Sequence, residues 1–173
     1  MNRHIFIWVT CLFLLGACTS DSKTSKTDST DPFKDCKAGK PEAIFEGNFE
    51  QVSSQKFKIE QKEGIENVLF KNGLDLELIQ QGCDKVTQVF QFKIPQKMEG
   101  EQDWIALAAE QFTYLSRTSE KHGMLGMWGQ TIRANGPNLQ LGEKQSLQPG
   151  ISIKVDKVQS TEYTTILVEL SQD

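Results

Sequence analysis

Histidine is close to absent from this chain. His4 and His122 are the only two, too few to complete a zinc set, and the four cysteines form no Cys-x-x-Cys pair of the kind that marks a metal or redox site. Basic clusters are missing as well: 19 Lys and Arg stand against 23 Asp and Glu, for a formal net charge of −4. Nucleic acid demands Lys/Arg patches that neutralise phosphates, and an anionic lipid surface demands a polybasic segment. Neither is encoded. No P-loop, dinucleotide fingerprint or nucleophile elbow occurs, so no cofactor or metal is expected. The longest apolar run, Ile5 to Leu15, is interrupted by Thr10 and Cys11. At about 11 residues it falls short of the roughly 20 that a membrane-crossing helix needs.

What that run does have is a signal's layout. Arg3 and His4 precede it and the small residues Gly16 and Ala17 follow it, the order of a secretory leader that is removed after export. Leu15-Gly16-Ala17-Cys18 resembles the lipobox of bacterial lipoproteins, a resemblance that covers the first two dozen residues. It implies that residues 1–17 are cleaved, that the Cys18 thiol carries a diacylglycerol, and that the new amino group is acylated. The residue types suit this chemistry, because small side chains at Gly16 and Ala17 admit an extended chain to a peptidase and Cys18 supplies a thiolate. Each buried CH₂ contributes about 0.8 kcal/mol, and two or more acyl chains make a stable anchor. The expected partner is therefore a membrane, reached through acyl chains on Cys18. The resemblance also implies the cell envelope, and Thr19, where aspartate would favour inner-membrane retention, points to the outer membrane.

Loss of the leader removes one basic side chain and leaves about 156 residues, one domain's worth of chain. Thr19 to Asp31, "TSDSKTSKTDSTD", contains no apolar residue and cannot bury enough surface to offset the entropy of ordering. Residues 18–31 are thus expected to be a lipidated cysteine and a tether, about 13 flexible residues spanning ~20 Å. Cys11 departs with the leader and Cys18 is lipidated, so Cys36 and Cys83 remain. In an oxidising envelope such a pair reads as a disulfide. Closing a loop of roughly 48 residues, it contributes about 4 kcal/mol in the chain-entropy model.

Residues 32–173 read as a single domain. "AIFEGNF" at Ala43 to Phe49 and "KFKIEQ" at Lys56 to Gln61 alternate as strands do. In "VLFKNGLDLEL", a three-residue loop with Gly73 left-handed pairs Phe70 with Leu74 and Val68 with Leu76, whereas a two-residue Asn-Gly turn would set Phe70 against Asp75. The apolar pattern selects the longer loop. "KVTQVFQFKI" places Val86, Phe90, Phe92 and Ile94 on one face, with Pro95 as its stop. "DWIALAAEQFTYLSR", Asp103 to Arg117, is the one expected helix, with Trp104, Ile105, Ala108, Phe112 and Leu115 along a stripe. Lys121 and His122 suit its negative end and Gly123 the left-handed position beyond. "LQL" at Leu139 to Leu141 reads as a short strand, and "ISIKVDKV" with "YTTILVEL" as a C-terminal hairpin around Gln159 to Glu162. The expected fold is α+β: an antiparallel sheet of about six to eight strands with one amphipathic helix packed on a face.

Residues able to carry chemistry are sparse. His122 as a general base would need a nucleophile and an orienting group, for which Ser116, Ser119 and Asp103 are the nearby candidates; the plainer expectation is a helix-end histidine meeting terminal carbonyls. Asp75 with Glu77, and Glu99, Glu101 and Asp103, invite a paired-carboxylate hydrolase, which needs a gap of roughly 5 to 10 Å across a cleft. A solvated strand face and an acidic helix start are the plainer account of them. "GMLGMWG", Gly123 to Gly129, has glycine at every third position after a helix, and is expected to be a loop. It either covers the sheet or offers Met124, Leu125, Met127 and Trp128 to an envelope protein partner. The expected function is a lipid-anchored, non-catalytic binding or scaffolding domain. Its alternatives are a protector that binds an incoming enzyme such as a lysozyme, by fold-level analogy, and a hydrolase.

Overall fold

The Asn72-Gly73 turn sets the register of the sheet. The computed structural model describes residues 31–47, 49–94 and 102–172, and in it Phe70 N–H donates to the Leu74 carbonyl at 2.9 Å while Gly73 N–H donates back to Phe70 at 3.0 Å. Gly73 has φ of 87°, which costs glycine nothing. Val68 then lies opposite Leu76, the pairing required to keep both on the buried face. The leader, the lipobox, the tether up to Thr30 and Pro95 lie outside the described residues.

Seven strands follow in chain order: β1 (Val52–Glu60), β2 (Glu63–Phe70), β3 (Asp75–Gln81), β4 (Thr87–Ile94), β5 (Lys144–Gln148), β6 (Ile151–Gln159) and β7 (Thr164–Gln172). They form one antiparallel sheet in the order β1-β2-β3-β4-β7-β6-β5. The first four make a meander, and the last three a second meander whose final strand returns beside β4. Asp31–Asp173 cluster as one compact unit.

Between β4 and β5 the chain forms two helices, α1 (Trp104–Ser116) and α2 (Gly123–Asn135). Alternation along the strands sends Leu76, Leu78, Phe90, Phe92, Ile166 and Val168 to the face that the helices cover, and all six are fully buried. Phe112 of α1 meets Phe90 and Phe92 edge-on at ring distances of 4.8 and 5.5 Å, the geometry that aromatic quadrupoles favour. α1 begins where expected, because the Asp103 carboxylate caps it by accepting from Ala106 N–H at 2.9 Å.

Three expectations are corrected. The described residues of Ala43 to Phe49 form no strand: Ile44 and Phe45 donate their N–H groups to the buried Glu66 carboxylate at 2.8 and 2.9 Å, so no ladder partner is left for them. Leu139 to Leu141 are likewise outside any strand, and the edge strand is β5 a few residues on. The sheet also carries two helices where one was expected, because Gly123 to Gly129 are helical.

Candidate functional site

The second helix exists because its glycines allow close packing. Each glycine costs about 1 kcal/mol relative to alanine in a helix interior, which is the reason to expect a loop. In the fold, a methyl group on Gly129 would stand 2.8 Å from the Ala109 carbonyl and 3.0 Å from Thr113 Oγ1, and one on Gly126 would stand 2.9 Å from Ser116 Cβ. Ala109, Thr113 and Ser116 lie at helical spacing along α1, so two strips of small residues let the helix backbones approach. Gly123 is not the left-handed terminator of α1; its φ is −53°, and it continues directly from a 3₁₀ turn, Glu120–His122, into α2. Helical geometry then divides the four expected contact residues. Leu125 enters the core at 5 % exposure, Trp128 is half-buried, and Met124 and Met127 are 66 % and 65 % exposed.

His122 is not a surface helix-end residue. It is 3 % exposed and lies against Phe45 and Phe49 at ring distances of 4.6 and 5.0 Å. Its Nε2 is 3.1 Å from the Ile44 carbonyl, a pure acceptor, so Nε2 donates there. Its Nδ1 is 2.7 Å from the Thr118 hydroxyl. Nε2 thus ties the arm that follows Cys36 to the helical hairpin, while the bond from Nδ1 to Thr118 holds the ring within the hairpin itself. The neighbouring candidates are spent elsewhere: Asp103 caps α1, Ser116 Oγ donates to Thr113 O at 2.8 Å, and Ser119 Oγ accepts from Lys121 N–H. No nucleophile, base and orienter are brought together in this arrangement.

Glu66 is the residue that sequence reading passed over. It is fully buried on the core face of β2 and accepts from Ile44 N, Phe45 N and, through Oε1, Gln55 Nε2 at 2.8 Å. A buried carboxylate persists only where such donors surround it. Its position in an otherwise apolar alternation, Gly64, Glu66, Val68, Phe70, was the available signal. Glu66 and His122 thus grip opposite sides of one short stretch of the arm.

The Cys36 and Cys83 sulfurs are 2.07 Å apart and bonded, as expected from the cysteine count. Ala38 N–H also donates to the Cys83 carbonyl at 2.9 Å. The arm is therefore held at its start by a covalent bond and at Ile44 by the Glu66–His122 grip. Asp75 and Glu77 lie on the outer face of β3, with Asp75 3.8 Å from Lys93 on the neighbouring strand. Glu99 and Glu101 are outside the described residues. No group of three or more His, Cys, Asp or Glu able to hold a metal occurs among the described residues. Burial raises the Tyr114 hydroxyl above its ordinary value, and its ring meets Phe70 edge-on.

No protein-family model matches the chain, and no curated protein or solved structure is significantly similar to it.

Among several open cavities, one forms a groove at one end of the helix-covered face. A cavity of about 430 Å³ lies between the arm, at Ala38 to Glu42, and the ends of β3 and β4 at Gln80, Gln81 and Val86. A smaller depression of about 70 Å³ shares Val86 and runs past Gln88 and Leu170 to Trp128 of α2. Gln80 and Gln88 face each other across β3 and β4. The arm forms one wall of this groove because the disulfide and Gln80 Nε2, which donates to the Glu42 carbonyl at 2.7 Å, hold it there.

Proposed function

We propose that this chain is a lipid-anchored lipoprotein of the bacterial cell envelope, held through Cys18 in the outer membrane, whose folded part is a non-catalytic binding domain. The observation that carries the proposal is the Leu15-Gly16-Ala17-Cys18 sequence at the end of a short apolar leader. The bonded Cys36–Cys83 pair supports it, since such bonds persist in oxidising compartments. The reading of the folded part as a binder rests on His122. The one histidine downstream of Cys18 has both nitrogens engaged in structural bonds, Nε2 to the arm and Nδ1 to Thr118, and the carboxylates on β3 lie on an open strand face.

Membrane fractionation of the full-length chain and its Cys18→Ala variant tests the anchor. The unaltered chain is expected in the membrane fraction, and the variant as an uncleaved precursor about 17 residues longer. Recovery of the unaltered chain as a soluble periplasmic protein would overturn the proposal.

A further inference from the structure

The groove between the arm and Trp128 has a lining whose chemistry selects among ligands. Its two charged residues, Lys40 and Glu42, have opposite signs, so the lining offers no excess of positive charge to a phosphate and no carboxylate cluster to a cation. It is open along its length and rich in side-chain amides, which leaves a buried hydrocarbon ligand without the enclosed apolar walls that its binding needs. Gln80 and Gln88 present neutral amides, each both donor and acceptor, with one Gln80 N–H already given to the Glu42 carbonyl. The Gln88 amide has no hydrogen-bond partner among the described residues. Trp128 stands half-buried at the far end beside Gln88 and Leu170.

An aromatic face with neutral amides beside it complements a molecule that has weakly polar C–H faces and a rim of hydroxyl or amide groups. We propose that this groove binds a neutral glycan strand, with Trp128 as the stacking surface for one sugar ring and Gln88 and Gln80 as hydrogen-bonding partners for the next. The main cavity, about 430 Å³, falls within the usual range of about 300 to 1,000 Å³ for ligand sites. The disulfide and the Gln80–Glu42 bond build one wall in advance, so little ordering accompanies binding. The inference deepens the reading of the folded part as a binder and does not depend on the Cys18 anchor.

Calorimetric titration of the purified mature chain, in a detergent without a sugar headgroup, with the β-1,4-linked trimer of N-acetylglucosamine tests it. The trimer is expected to bind at least tenfold more tightly than the monosaccharide, because it has enough rings to meet Trp128 and the Gln80 and Gln88 amides together. Gln88→Met, which keeps volume and removes the amide, and Trp128→Ala are each expected to weaken trimer binding tenfold or more with the urea midpoint of Gln88→Met unchanged. Trp128→Phe, which keeps a ring, is expected to retain most of the affinity. No heat with trimer at 10-millimolar order, equal affinity for monomer and trimer, or trimer binding indifferent to Gln88→Met would each overturn the glycan site. The membrane-fraction result for Cys18 would stand in all three cases, so failure of the groove is distinguishable from failure of the anchor.

Discussion

The two helices are of equal length, 13 residues each, yet they are stabilised by opposite means. α1 buries Trp104, Ala108, Ala109, Phe112 and Leu115, and its first turn is capped by Asp103. α2 buries only Leu125, Gly129 and Ile132 and has no side-chain cap. α1 is a helix that its own amphipathic stripe and cap explain. α2 is a helix that its partner explains: two glycines meet the small strip of α1 so closely that an added methyl group would force a neighbour to shift. Local propensity therefore describes the first helix and misdescribes the second.

The largest effect expected from disturbing this contrast lies in α1. Phe112→Ala removes a ring held edge-on between Phe90 and Phe92 and is expected to cost about 3 to 5 kcal/mol in urea unfolding. Gly129→Ala comes next, and its sign is the informative part. On an isolated helix the change stabilises by about 0.5 to 1 kcal/mol, but here the methyl must displace the Ala109 carbonyl and overpacking costs about 1 to 3 kcal/mol. Net destabilisation is expected, and a rise in the unfolding midpoint would show that the helices do not pack as closely as described. The smallest effect belongs to Gly123→Ala, where nothing lies within 4 Å of the added methyl. Propensity acts alone there, and a gain of about 0.5 to 1 kcal/mol is expected. Three substitutions thus separate stripe, seam and propensity.

The same division decides what the sequence made legible. The Phe70–Leu74 loop, the C-terminal hairpin and α1 could be read because alternation, turn chemistry and helical period act over a few residues. The Cys36–Cys83 bond could be read by counting, since the lipobox resemblance and the leader leave only those two. The arm at Ala43 to Phe49 could not, because its apolar alternation matches a strand and only the distant Glu66 diverts its N–H groups. His122 was misplaced for a similar reason: its acceptor, Ile44 O, is 78 residues away. The groove lay beyond reach as well, since its walls come from the arm, two strand ends and a helix expected to be a loop. Of the contact residues expected at Gly123 to Gly129, Trp128 lines the groove, while Met124 and Met127 face solvent on the outer side of α2.

Mass spectrometry of the N-terminal peptide of the mature chain, purified from membranes, addresses the anchor and the lipobox together. The expected peptide begins at Cys18, with a diacylglycerol thioether on its sulfur and an acyl group on its amine. A peptide that begins elsewhere, or one with an unmodified Cys18, would contradict the anchor.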